Sequence, residues 1–162
     1  MEVWLRYLIV LLLGLAPVSE VRGAVPAARA LFLGDGEFLL ASTIGLLGNL
    51  AVAPAVLYLL DRVEGFLVRL GRLGRLYSRV LEVARRRGSE VSRYGVLGLT
   101  VFVAIPLPAT GAWTGSLAAY ILGLPRGRAV LAIELGVLIA FTIVLGATVL
   151  GLEVLKSIFM LT

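Results

Sequence analysis

The chain has 162 residues, 60% of them hydrophobic, and a mean hydropathy of +1.03, which is more apolar surface than a soluble core of this size can bury. The formal net charge is +5, and the sequence contains neither cysteine nor histidine. A soluble fold, disulfides, thiol nucleophiles, imidazole bases and Cys or His metal sites are therefore excluded.

Arginine carries almost all of the positive charge. There are 14 arginines and one lysine, and nine of the arginines lie between Arg62 and Arg93. Such a local concentration does not indicate a nucleic-acid-binding surface. The preference for arginine, with no glutamine and a single asparagine, is typical of a thermophile, although a GC-rich genome produces the same bias.

The first 34 residues contain two short apolar stretches. Trp4 to Val18 makes about 22 Å of helix, whereas the hydrocarbon layer is about 30 Å thick. Ser19 to Gly23 is polar and poorly helical, and the second stretch, Ala24 to Leu33, ends at a Gly-Asp-Gly-Glu segment. The start also resembles a secretory signal, but a similar break returns later in the chain. The pattern therefore predicts a retained re-entrant hairpin over residues 3–34, broken at residues 19–23.

A full span and a basic segment follow. Residues 38–60 carry no charge and are long enough to cross the bilayer, with a kink expected at Pro54. Residues 61–93 repeat apolar side chains at intervals of three and four, with arginines between them, which predicts an amphipathic helix on the membrane surface. The positive-inside rule places this helix in the cytoplasm, beside anionic lipid.

The second half repeats the order of the first. Gly95 to Ile105 is a short apolar arm, residues 106–111 form a Pro/Gly break, and Ala112 to Leu124 is a second arm, so we predict a hairpin over residues 95–124. A basic turn at residues 125–128 then leads into a second span, 129–152, and a short tail, 153–162.

Matching residues relate the two halves. Pro17 and Gly23 in the first break correspond to Pro106 and Gly111 in the second, and Gly36 to Gly45 has the spacing of Gly127 to Gly136. With residues 61–93 in the cytoplasm, the first hairpin enters from outside and the second from inside. We therefore predict one all-α integral membrane domain of the plasma membrane, an inverted repeat (1–60 and 94–152) with both termini outside.

The two breaks predict a binding site. A new helix begins after each break, so unpaired backbone N–H groups and helix dipoles point to the membrane centre and favour an anion. Arg22 adds to this field, and Glu20 could pair with it, bind a proton or be displaced by an anionic headgroup. An ionisable group here costs about 2.5–3.5 kcal/mol, which favours a function over the alternative that the two charges only satisfy each other.

Three other candidates have a structural role as the alternative to binding. Trp113 could anchor the chain at the membrane interface, and Asn49 could form an interhelical hydrogen bond. The side chain of Glu134 could extend toward Arg128. No catalytic residue, metal ligand or cofactor is predicted. The predicted substrate or ion site comprises Glu20, Arg22, Gly23, Pro26, Asn49, Pro106, Pro108, Thr110, Gly111, Trp113 and Glu134, with Arg126 and Arg128 as headgroup contacts.

Three segments carry a family resemblance: Pro17-Val-Ser-Glu-Val-Arg-Gly-Ala-Val-Pro26, Gly48-Asn49, and Ala104-Ile-Pro-Leu-Pro-Ala-Thr-Gly-Ala-Trp-Thr-Gly115. Over nearly its whole length the chain resembles the small multidrug export family of archaea and bacteria, which looks related to the DedA and VTT membrane proteins. The resemblance implies a transporter with two facing re-entrant hairpins. DedA relatives are associated with moving phospholipids or polyprenyl phosphates between leaflets, but their longer acidic motif is not evident in this sequence.

We therefore predict a transporter and not an enzyme, which moves an anionic lipid or polyprenyl-phosphate headgroup through a midplane site. Two alternatives stay open: a proton-coupled exporter of small molecules, and a membrane assembly or shaping protein that transports nothing. The expected partners are membrane lipids, including anionic lipid at residues 61–93, a proton and further copies of the chain, because two spans are few to enclose a pathway; no nucleic acid is expected.

Overall fold

The computed structural model describes residues 2–67, 82, 95–107 and 110–160, without the side chains of residues 67 and 152–160. All regular structure in these ranges is helical, which confirms the predicted all-α class. Beyond residue 67, the predicted basic helix lies outside the described residues, apart from residue 82. The helices are α1 (Val3–Leu15), α2 (Glu20–Leu31), α3 (Asp35–Leu50), α4 (Val52–Leu67), α5 (Gly95–Ala104), α6 (Ala112–Ile121) and α7 (Arg126–Met160).

Among the described residues, two helical stretches are long and apolar enough to cross a membrane: Asp35–Phe66, with 32 residues, and Arg126–Gly151, with 26 residues. The first joins α3 and α4 end to end through Ala51, whose N–H still bonds to the Leu47 carbonyl at 3.2 Å. Pro54 lacks an N–H and crowds the carbonyl four residues earlier. At Pro54, where a kink was expected, the helix is therefore interrupted for one residue, Ala51.

The second long helix begins earlier than predicted. Arg126, Gly127 and Arg128 were predicted to form a turn, which is wrong, because they are the first three residues of α7. Pro125 explains the difference: its carbonyl accepts the N–H of Ala129 at 2.9 Å and so begins the helical hydrogen bonding. A proline beside the first helical residue costs nothing, since its missing N–H would have no partner there.

The helices α1 and α2 pack as an antiparallel hairpin. Arg6 Nη1 donates to the Leu31 carbonyl at 3.0 Å, and the rings of Tyr7 and Phe32 are 4.6 Å apart, so the start of α1 lies beside the end of α2. The connection consists of residues 16–19, and the predicted break at residues 19–23 is wrong, because α2 begins at Glu20.

The helices α5 and α6 form a second hairpin. The described residues between them, 105–107, 110 and 111, are not helical, and the predicted break was residues 106–111. A Cβ on Gly115 of α6 would lie 2.7 Å from Val103 of α5. At the far end, Gly123 has a φ of 67° and follows the last turn of α6. The N–H of Leu124 then bonds back to the Ala119 carbonyl at 3.0 Å, as in a Schellman C-cap.

Each hairpin packs its first helix against a long helix at glycines. A Cβ on Gly14 of α1 would lie 2.1 Å from the carbonyl oxygen of Gly45 in α3. In the second half, a Cβ on Gly136 of α7 would lie 2.7 Å from Cβ of Val103 and 2.8 Å from the carbonyl oxygen of Thr100, both in α5. Small residues at these seams let the helix backbones approach closely.

The hairpins enter the molecule from opposite ends. Arg126 at the start of α7 forms an ion pair of 2.5 Å with Asp61 near the end of α4, so the two long helices run antiparallel. The first hairpin starts and ends near Asp35, and the second starts and ends near Arg126. Gly48, which contacts Leu15 at the first tip, and Gly136 lie about 20 Å and 15 Å into their long helices. Both tips therefore reach the middle of the molecule.

Candidate functional site

Glu20 is the most constrained residue at the first tip. Its side chain is 3% exposed and its φ is 48°, the left-handed region that residues other than glycine rarely adopt. Oε2 of Glu20 lies 2.7 Å from Nη1 of Arg22, in the same first turn of α2. A buried carboxylate with an ion-pair partner thus occupies the beginning of this helix.

Arg22 extends from the first hairpin to the second. Its Nη2 lies 3.1 Å from the carbonyl oxygen of Val103, 3.0 Å from that of Ile105 and 3.1 Å from Oγ1 of Thr110. The last carbonyls of a helix have no intrahelical partner, and the negative end of the helix dipole lies there. The guanidinium of Arg22 therefore caps the C-terminus of α5.

Glu20 makes the complementary contact with α6. Its Oε1 accepts the backbone N–H of Trp113 at 3.3 Å, so the carboxylate lies at the positive N-terminal end of this helix. Gly111 leaves the space that the carboxylate fills, because a Cβ there would lie 1.5 Å from Oε2. A side chain of the protein itself therefore supplies a carboxylate at this helix end.

Trp113 connects the two tips a second time. Its indole Nε1 donates to the carbonyl of Leu15, the last residue of α1, at 2.9 Å. The ends of four helices consequently meet at one place: the ends of α1 and α5 and the beginnings of α2 and α6. Glu20, Arg22, Thr110, Gly111 and Trp113, all predicted as site residues, are brought together there.

One donor in this cluster has no acceptor. Nε of Arg22 is buried and makes no hydrogen bond with the described residues, although both terminal nitrogens of the guanidinium are bonded. A buried N–H without a partner is unfavourable and marks a position for a water molecule or a ligand oxygen.

Several other predicted residues lie apart from this cluster. Asn49 is fully buried in α3, and its Nδ2 donates to the Gly14 carbonyl at 3.1 Å, the interhelical bond that was its alternative role. Gly23 packs its backbone against Ser19, Pro26 is exposed within α2, and Pro106 is exposed in the second break. Pro108 lies outside the described residues.

The predicted residues of α7 do not join the cluster either. Glu134 is half-buried, and in the described part of the chain it makes no ion pair with Arg128 or with Arg22. Arg126 binds Asp61, and Arg128 is exposed.

Sequence reasoning missed a second polar cluster, at the far end of α6. The hydroxyl of Tyr120 donates to Oε2 of Glu64 at 2.6 Å, beside the Asp61–Arg126 ion pair. Asp61 and Glu64 share one face of α4 and follow directly after the first span. This spacing alone could have indicated a polar site on that face of the helix. Their partners in α6 and α7 could not be inferred, because they are more than 50 residues away.

The fold and the cluster define a helical membrane protein with a charged pair between two hairpin tips. Residues 20–143 match the family described as "Putative small multi-drug export protein", and the chain belongs to this family. The family description and the two long apolar helices agree with a membrane transporter. No curated protein and no solved structure matches the chain, and the resemblance to the DedA proteins finds no support in these comparisons.

Proposed function

We propose that the protein is a membrane exporter that binds an anionic group of its substrate where the two hairpin tips meet. In the structure described above, the Glu20 carboxylate fills this position. Substrate binding then consists of an exchange, in which a phosphate or carboxylate of the substrate takes the place of Glu20 beside Arg22 and the N-terminus of α6.

The contacts of Arg22 carry the proposal. The guanidinium holds one carboxylate oxygen at 2.7 Å and three oxygens of the second hairpin. Its buried Nε offers one further donor. Arginine is suited to this task because its planar group donates in several directions and remains charged when buried. Together with the N-terminal N–H groups of α6, it supplies the donors that an anion requires.

The substrate that we favour is an anionic lipid or polyprenyl-phosphate headgroup. The site lies about halfway along both long helices, so a lipid could move its headgroup past it while its tails stay in the bilayer. A soluble organic anion presents the same chemistry to Arg22, and the experiment below distinguishes these two sources.

For the membrane arrangement we propose two re-entrant hairpins in an inverted repeat. The support is the antiparallel course of the long helices and the entry of the hairpins from opposite ends. The Asp61–Arg126 end then faces the cytoplasm, where the positive-inside rule places the arginines of residues 61–93, and both termini lie outside. Anionic lipid would gather at that basic segment, and further copies of the chain would complete the pathway.

The test is reconstitution of the purified protein in liposomes. One arm follows the leaflet accessibility of a labelled phospholipid and of a labelled polyprenyl phosphate, and a second arm follows release of a trapped organic anion. Arg22→Lys should lower the transport rate by one or two orders of magnitude, because an ammonium cannot hold the carboxylate and three further oxygens at once. Arg29→Lys is the matched control, since the Arg29–Asp35 ion pair lies outside the site.

The two arms give different answers. Transport of labelled lipid above the rate of empty liposomes supports the headgroup proposal, and release of the soluble anion alone contradicts it while retaining anion export. If neither probe moves faster than in empty liposomes, the exchange at Arg22 is not a transport step, and both the headgroup proposal and anion export are contradicted.

A proton-coupled exporter of small molecules is the second candidate. The observation that favours it is the 3% exposure of Glu20, since ionisable side chains buried within membrane proteins mark substrate and ion pathways and proton relays. On this mechanism Glu20→Gln abolishes export driven by a pH gradient and leaves lipid distribution unchanged. The headgroup proposal instead expects Glu20→Gln to change the rate of lipid movement.

A further inference from the structure

The second polar cluster ties the two halves of the chain together at one end. Asp61 and Glu64 belong to α4, whereas Tyr120 and Arg126 belong to the second half, and the contacts between them measure 2.5 Å and 2.6 Å. These residues line a cleft of about 350 Å³ with Leu57, Gly123 and Leu124. Leu57 and Leu124 are buried below the polar side chains.

The helix α6 joins this cluster to the central site. Its beginning, at Gly111 and Trp113, holds the Glu20 carboxylate, and its end, at Tyr120, holds the Glu64 carboxylate. The seven-residue separation of Trp113 and Tyr120 places these two contacts about 10.5 Å apart along one helix. A shift of α6 that releases one carboxylate therefore disturbs the other.

The Asp35 end of the molecule has a different set of polar side-chain contacts. There, Arg29 pairs with Asp35 at 3.0 Å and Arg6 caps α2 at Leu31, so both contacts lie within the first half. The described hydrogen bonds and ion pairs between the two halves lie at the central site and at the Asp61–Arg126 end. Toward the opposite end the halves meet through apolar side chains, because Phe141, Val144 and Leu145 of α7 pack against the cluster that includes Phe32 and Phe38. Polar contacts between the halves therefore close the Asp61–Arg126 end.

We propose that the Asp61–Arg126 and Glu64–Tyr120 pairs form a gate over the central site, and that α6 couples this gate to Glu20. When the Glu20 carboxylate leaves the N-terminus of α6, the helix loses one of the contacts that fix its position, and the Tyr120–Glu64 bond weakens with it. Such coupling is reciprocal: opening the gate also favours release of Glu20. The inference rests on the proposed function, because a gate has a role only where a substrate passes.

The natural absence of cysteine allows a direct test. A reporter thiol at Leu57→Cys, or independently at Leu124→Cys, lies inside the closed cleft, and its reaction with a membrane-impermeant maleimide measures opening. In proteoliposomes of the reporter variants, we expect Asp61→Asn together with Tyr120→Phe to raise the labelling rate about tenfold, since each contact stabilises the closed state modestly. Asp35→Asn, which removes the exposed pair at the other end, should leave the rate unchanged.

Coupling is tested with the gate residues intact. Glu20→Gln should raise labelling of the Leu57→Cys thiol severalfold. A rate within twofold of the parent in the Asp61→Asn/Tyr120→Phe variant contradicts the gate, and an unchanged rate in Glu20→Gln contradicts the coupling through α6. Because labelling does not depend on transport, a protein that opens as expected but moves no substrate retains the gate and refutes only the proposed function.

Discussion

Glu20 combines two unfavourable features, a buried charge and a left-handed backbone. A left-handed conformation costs a residue other than glycine about 1–2 kcal/mol, and a buried carboxylate is stable only when it is paired and hydrogen-bonded. Arg22 and the N–H of Trp113 satisfy these needs. A glycine would make the same turn without either cost, so the turn alone does not account for a carboxylate at this position.

The contribution of the Glu20–Arg22 ion pair to the free energy of unfolding is tested by removing one partner or both. Arg22→Ala leaves the Glu20 carboxylate buried without its counter-charge, and we expect it to lower the free energy of unfolding by about 3–5 kcal/mol. The double variant Glu20→Ala/Arg22→Ala should lose less than Arg22→Ala alone, because no unpaired charge remains. Unfolding in detergent, followed by circular dichroism, provides the comparison.

Asp35 serves as the control for this cycle, since it pairs with Arg29 but is 89% exposed. Asp35→Ala should change the unfolding free energy by less than about 1 kcal/mol. Equal losses in Arg22→Ala and in the double variant would mean that Glu20 gains nothing from Arg22.

Gly111 tests the contact between the two hairpins. In Gly111→Ala the new methyl group would occupy the position of Oε2 of Glu20, so the carboxylate must leave the N-terminus of α6. We expect a loss of about 1–3 kcal/mol in stability, the cost of an unsatisfied buried group. Gly127→Ala is the matched control, because Gly127 lies in a helix with no atom within 4 Å of the added Cβ. If both variants unfold alike, Glu20 does not depend on the space at Gly111.

At the scale of the helices, glycine seams determine how deep the hairpins lie. The carbonyl of Gly14 also receives the amide of Asn49 at 3.1 Å, so the contact between α1 and α3 combines close packing with a buried hydrogen bond. The equivalent seam of the second half brings Gly136 against α5. Because backbones are in contact, neither seam can adjust by a change of rotamer.

Gly14→Ala should therefore separate α1 from α3. The added Cβ would lie 2.1 Å from the Gly45 carbonyl oxygen, and the two backbones must move apart and weaken the Asn49 bond. The expected loss in unfolding free energy is about 1–3 kcal/mol, typical of overpacking. Gly146→Ala adds a methyl group on α7 with no neighbour within 4 Å and should be neutral or stabilising. A neutral Gly14→Ala would show that α1 is free to shift along α3.

The helices themselves were largely predictable, because apolar runs and Pro/Gly breaks carry the necessary information. At the second predicted break, residues 106–111, α5 ends at Ala104 and α6 begins at Ala112, whereas the first predicted break was displaced. Glu20 to Gly23 looked like a turn because charges and glycine disfavour a buried helix. What stabilises the helix there is the contact of Glu20 with Trp113 and of Arg22 with Val103, 93 and 81 residues away. Local sequence cannot report such partners.

At the scale of the whole molecule, the arrangement of the hairpins predicts how deep the tip of the first hairpin lies in the membrane. Leu33, Phe66 and Val18 are 89%, 66% and 90% exposed, but they occupy different places: one end, the other end and the tip of the first hairpin. If the hairpin is re-entrant, the exposure of Val18 is to lipid and not to water. Single cysteines at these positions separate the two possibilities.

We expect Leu33→Cys to react with an impermeant maleimide from the outside of cells, and Phe66→Cys only in inside-out vesicles. Val18→Cys should react from neither side and become labelled only after denaturation, because a thiol in hydrocarbon cannot form the reactive thiolate. Labelling of Leu33→Cys and Phe66→Cys from one side would contradict a crossing between them. Rapid labelling of Val18→Cys in the intact membrane would place the tip in water, and a lipid headgroup would then have an aqueous path to Arg22 without moving through the gate at Asp61 and Tyr120.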